Sequence, residues 1–150
     1  MKLPELIATL GGLGRMRPAP GTIASLAALV TAWLLASLAG RGALLIAAIF
    51  ATALGGWASE LYARNKGEHD PSECVIDELA GQWIACAFAP LNPIAYAVAF
   101  VLFRLLDIFK PWPISALERL PGGLGIMADD CAAALVTALA IAVLAHASLV

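Results

Sequence analysis

The chain has 150 residues, of which 61% are hydrophobic and only 13% charged. Soluble domains average roughly 45–50% and about 25%, so the composition reads as that of a single-domain integral membrane protein. A net charge of −2 provides no basic surface and excludes nucleic acid as a partner.

Pro4–Leu10 reads as a short interfacial helix. Glu5 and the turn Gly11-Gly12-Leu13-Gly14 interrupt the apolar start, and no Ala-x-Ala pattern follows, so no signal peptide is expected. Gly11–Gly21 is a loop, and Thr22 is placed to N-cap the first spanning helix. The stretches Pro18–Gly40 and Gly42–Ser59 lack charge and approach or exceed the roughly 18–20 residues that cross a bilayer. As a hairpin with Arg41 at its tip, they leave Arg15, Arg17, Arg64 and Lys66 on one side, the cytoplasmic one by the positive-inside rule.

Asp70-Pro71-Ser72-Glu73 has the form of a helix start: an Asp cap, Pro at the first helical position and Glu three residues after the cap. The third uncharged run, Leu79–Phe103, holds Pro90-Leu91-Asn92-Pro93 at its middle, and both prolines oppose a continuous helix. Leu79–Ala89 then rises only ~16 Å, about half the apolar core. Two half-length helices would form a re-entrant hairpin and return Arg104, Asp107 and Lys110 to the side of Asp77 and Glu78. Spacings of three place those three residues on one helical face, and Pro111 ends that helix. Leu120–Met127, with three glycines, reads as a flexible loop, and Asp129-Asp130 as acids at the mouth of a last spanning helix through Cys131–Val150. The three cysteines show no CxxC spacing and are expected to be free thiols.

Seven of the eleven acids thus fall in three blocks at the ends of apolar runs. Carboxylates there are costly to keep ionised unless compensated. No cysteine is followed by Arg six positions later, there is no Asp-x-Asp-x-Thr, no Gly-x-Ser-x-Gly and no Walker loop, and the only histidines, His69 and His146, form no histidine phosphatase motif. An oxygen-ligand metal site remains, suited to Mg²⁺ or Mn²⁺ rather than Zn²⁺. Its candidate ligands are Glu73, Asp77, Glu78, Asp107, Asp129 and Asp130. Glu73 and Asp77 share a helical face at i, i+4, whereas Glu78 points roughly 100° from Asp77 and need not bind the same ion. Arg104, Lys110, Arg15 and the Thr22 helix start are candidates for gripping a phosphoryl group, Arg through its bidentate fork.

These motifs, Gly12-Leu13-Gly14, Pro18-Ala19-Pro20-Gly21-Thr22, Asp70-Pro71-Ser72-Glu73 with Val75-Ile76-Asp77-Glu78 and Gly81, Phe103-Arg104 with Asp107 and Lys110-Pro111-Trp112-Pro113, and Gly125 with Asp129-Asp130, resemble the phosphatidylglycerophosphatase A family. The likeness runs from about residue 11 to about 134, nearly the whole chain. Its departures, at Ala24, Leu106, Cys131 and Ala134, replace no charged group. The resemblance implies an all-α, membrane-embedded fold. It also implies a Mg²⁺-dependent phosphatase that converts phosphatidylglycerophosphate to phosphatidylglycerol at the inner face of the bacterial cytoplasmic membrane. Asp77, Glu78, Asp107, Asp129 and Asp130 would carry the catalysis. The substrate is then a phospholipid, and a homo-oligomer is compatible with the sequence. The alternative is a small transporter or channel subunit using its acids as an ion path, motivated by ionisable groups near a broken apolar run.

Overall fold

The computed structural model describes residues 1–150 and is helical throughout, without strands. Six α-helices follow in order: α1 (Leu3–Ala8), α2 (Pro20–Lys66), α3 (Ile76–Ala87), α4 (Pro93–Phe109), α5 (Ile114–Leu117) and α6 (Gly122–His146). A 3₁₀ turn, Leu13–Arg15, lies between α1 and α2.

The 47 residues of α2 are two arms. Gly40 breaks them with φ of 85° and ψ of 164°, a backbone state that a residue with a Cβ rarely adopts. The second arm folds back along the first: Ala36 of one and Leu44 of the other share a core with Ala87, Ala89 and Ile141. At this tip Arg41 Nη1 donates to the Ala89 carbonyl at 3.4 Å. At the opposite end, the base, Ser59 and Cys74 meet at 3.0 Å, and Met127 lies against Gly55. α3 therefore runs from base to tip, α4 returns to the base, and α6 rises again to the tip. The α3–α4 junction falls at Pro90–Pro93, where Pro93 opens α4 and Asn92 caps it by accepting from the Ala95 N–H at 2.8 Å. Two helices, α2 and α6, are long and apolar enough to cross a membrane.

Three local expectations change. α3 begins at Ile76, not at Asp70. The 70–75 segment is spent on a turn, with Cys74 N–H donating to the Pro71 carbonyl at 2.8 Å and Val75 N–H to the Ala8 carbonyl at 2.9 Å. Docking on α1 thus wins over the local capping signal. Thr22 does not cap α2; the helix starts at Pro20 with Ala19 at the cap. Leu120–Met127 is not a loop, because α6 already starts at Gly122. The glycines there serve contact: a Cβ on Gly123 would lie 2.0 Å from the Gly56 carbonyl oxygen. α6 and the second arm of α2 approach backbone to backbone at this point.

Candidate active site

The base of the bundle gathers the acids from three helices. Asp77 and Glu78 come from the first turn of α3 and Asp130 from the third turn of α6, and one oxygen from each lies within 4.8 Å of the others. Glu78 reaches the same point as Asp77 despite its different helical azimuth. Asp107, on the last turns of α4, joins them through Arg104, which bonds Asp107 and approaches Glu78. Asp129 is buried beside Asp130 and accepts from Lys110 Nζ at 2.5 Å. The Asp129–Asp130 pair does not cap α6; it is held inside the helix, and Asp130 faces the α3 acids.

Cations close the ring. Arg104 donates to Asp107 and stands 3.8 Å from Glu78 Oε1. Its two terminal nitrogens also meet hydroxyls of α2, Nη1 at Ser25 Oγ and Nη2 at Thr22 Oγ1, both at 3.5 Å. Lys110 occupies the C-cap of α4 with a left-handed φ of 41°. That position sends its side chain across to Asp129 and, at 3.4 Å, to Glu118. Burial disfavours the Lys110 charge, but Asp129, Glu118 and Asp130 outweigh it and hold the ammonium above the ordinary lysine range. Gly21 completes the wall: a Cβ there would lie 2.1 Å from Glu78 Oε1 and 3.3 Å from Arg104 Nη2. The first turn of α2, with its unpaired N–H groups, thereby abuts the site.

Two candidates lie elsewhere. Glu73, in the turn before α3, pairs with Lys66 at 2.7 Å, which holds its carboxyl below the usual range. Arg15 pairs with Glu5. Ser25 is a site residue that no motif announces, and Gly21, quoted above only within its motif, joins it by close approach. The legible signal was spacing, since Thr22 and Ser25 are three apart on one helical face. Glu60 was also missed; it accepts from the Gly123 N–H at 2.5 Å and supports the α2–α6 contact.

The donor set fits a hard divalent cation. Asp77 Oδ1, Glu78 Oε2 and Asp130 Oδ2 are buried without any hydrogen-bond partner. Buried acceptors of this kind are rare unless something binds them, and three carboxylates with oxygens within 4.8 Å repel one another unless a cation or a proton intervenes. All donors are carboxylate oxygens, which favour Mg²⁺ or Mn²⁺.

Fold and site define an apolar all-helical protein whose carboxylate centre is ringed by cations. The sequence model of phosphatidylglycerophosphatase A matches residues 6–145, and the chain belongs to that family. The phosphatidylglycerophosphatase A of Escherichia coli K12 is 35% identical to it over 136 residues, covering 89% of this chain and 78% of that protein. The one from Haemophilus influenzae is 39% identical over 133 residues, covering 87% and 82%. A Bacteroides thetaiotaomicron protein provisionally named phosphatidylinositol-3-phosphatase is 38% identical over 152 residues, covering 94% and 92%. No solved structure matches significantly.

Proposed function

We propose that this protein hydrolyses the terminal phosphomonoester of phosphatidylglycerophosphate, releasing phosphate and phosphatidylglycerol. The observation that carries the reading is the convergence of Asp77, Glu78 and Asp130, with unpartnered oxygens, beside Arg104. Those three would hold Mg²⁺, or Mn²⁺ in its place, with Asp107 and Asp129 at its flanks. Bound there, the ion would supply charge neutralisation and Lewis-acid polarisation of the phosphoryl group.

Arg104 is the phosphate grip. Its Nε has no partner in the protein and is free to donate to a phosphoryl oxygen, while Asp107, Thr22 and Ser25 fix the plane of the guanidinium. Lys110 supplies a second positive charge at the same end, steadied by Asp129. The α2 N-terminus at Gly21 and Thr22 adds oriented N–H groups. Glu73 and Arg15 join the site only by exchanging their present partners, Lys66 and Glu5.

The bundle sits in the bacterial cytoplasmic membrane, with both arms of α2 and α6 as spans; the α3–α4 hairpin, expected to turn half-way, instead turns at the level of Arg41. Support comes from the charge distribution: Arg15, Arg17, Arg64 and Lys66 belong to the base, and Arg41 to the tip. The site then faces the cytoplasm. Transport along the acids is disfavoured because they lie at one end of the bundle and the apolar helices carry none at their centres.

Phosphate release by purified protein in mixed micelles tests the reading, with phosphatidylglycerophosphate compared against phosphatidylinositol 3-phosphate. Preferential release from the former is expected. Preferential release from the latter would transfer the assignment to the phosphoinositide named for the Bacteroides relative, and no release from either would refute it.

A further inference from the structure

An apolar cavity of about 410 Å³ opens between the first arm of α2 and α4, within the roughly 300–1,000 Å³ range of small-molecule sites. Its floor is the edge-to-face pair Trp33–Tyr96, ring centroids 5.0 Å apart, and Leu29 and Ala97 form its sides. Val30 and Leu34, exposed on its outer rim, leave it open sideways, toward where a lipid would lie.

The cavity and the phosphate grip share one seam. Ser25, Leu29 and Trp33 recur every four residues on α2, and Arg104 and Ala97 stand seven apart on α4, so each set follows one helical face. At the base end of the seam Ser25 meets Arg104. Two turns further, ~12 Å along α2, the same faces part to form the cavity. A phospholipid is built in the same order, with a charged head joined to an apolar tail. On the other side of this arm, Trp83 of α3 ties α2 down, its Nε1 donating to the Ala28 carbonyl and Thr31 Oγ1, each at 3.1 Å.

We infer that this groove holds an acyl chain of the substrate while Arg104 holds its phosphate, so that the groove selects long-chain lipids. The inference rests on the lipid-phosphatase reading and extends it to the tail. The cavities lined by Glu60, Arg64 and His69 and by Lys2, Glu5 and Lys66 are mostly polar and do not suit an acyl chain.

Ala97 allows a clean test, being small, exposed and on the groove wall. Ala97→Phe fills the groove without touching the core or the acids. Phosphate release is measured for wild type and Ala97→Phe in the same detergent, on long-chain diacyl phosphatidylglycerophosphate and on its dihexanoyl analogue. The expected result is a kcat/KM on the long-chain lipid lowered about ten-fold, through KM, with the dihexanoyl value unchanged. Val30→Trp, blocking the rim, should reproduce the pattern. A long-to-short ratio equal to that of wild type in both variants overturns the groove while leaving the phosphatase reading intact. Equal loss on both substrates also overturns it. No release by wild type from either substrate overturns the phosphatase reading and the groove's role together.

Discussion

At the residue scale, one guanidinium ties three helices together. Arg104 of α4 bonds Asp107 on its own helix, approaches Glu78 of α3, and meets Thr22 and Ser25 of α2. Arg104→Lys keeps the charge but loses the planar fork, so kcat should fall by about 10²-fold, ~2.7 kcal/mol of transition-state stabilisation. Equal turnover in the variant would remove Arg104 from the phosphate grip. Gly21 makes a different test. The atom its Cβ would strike, Glu78 Oε1, is the end of a side chain and can swing away. Gly21→Ala should therefore fold normally yet displace that carboxylate, at a cost in turnover of up to about 10²-fold. Thermal melts in parallel with the phosphate assay separate this outcome from unfolding. The acids themselves were legible in the sequence because charge is conspicuous in an apolar chain. Ser25 was not, and Gly21 was legible only as part of a motif, since small residues matter only through what packs against them.

At the element scale, glycine marks where helices touch. Gly123 of α6 faces the Gly56 carbonyl, so Gly123→Ala drives a methyl into rigid backbone and should destabilise the protein by about 1–3 kcal/mol. Gly56→Ala meets nothing nearer than 3.8 Å and should be neutral or mildly stabilising, as expected of Ala in a helix. Thermal denaturation in detergent would show the contrast; equal midpoints would mean that the α2–α6 contact is looser than described. The two apolar arms of α2 and the Gly40 break follow from charge-free runs and a lone Arg41, features that sequence displays directly. The beginnings of α3 and α6 were misplaced, each for a tertiary reason. Val75 bonds the Ala8 carbonyl across to α1, and Gly122 and Gly123 serve close packing instead of a loop. Local signals at Asp70-Pro71-Ser72-Glu73 and Gly122-Gly123-Leu124-Gly125 were real but subordinate to contacts far apart in sequence.

At the scale of the whole molecule, the bundle is polarised. Its base holds the carboxylate centre and most of the cations, while the tip has Arg41 and the α3–α4 turn. In intact cells, a thiol introduced by Gly42→Cys should react with an impermeant reagent from outside, and one at Ser72→Cys only after permeabilisation. The native cysteines are buried or half-buried and give little background. The opposite labelling pattern would invert the proposed topology. Metal-dependent turnover at the cluster of Asp77, Glu78 and Asp130 is open to one direct titration. Purified protein is stripped with chelator, and phosphate release from phosphatidylglycerophosphate is followed as Mg²⁺ is restored, for wild type and Asp130→Asn. Saturable recovery is predicted for wild type, with Asp130→Asn needing far more Mg²⁺ and reaching at most about a hundredth of the rate. Full activity of the stripped enzyme in chelator, or identical Mg²⁺ curves for the two proteins, would contradict it.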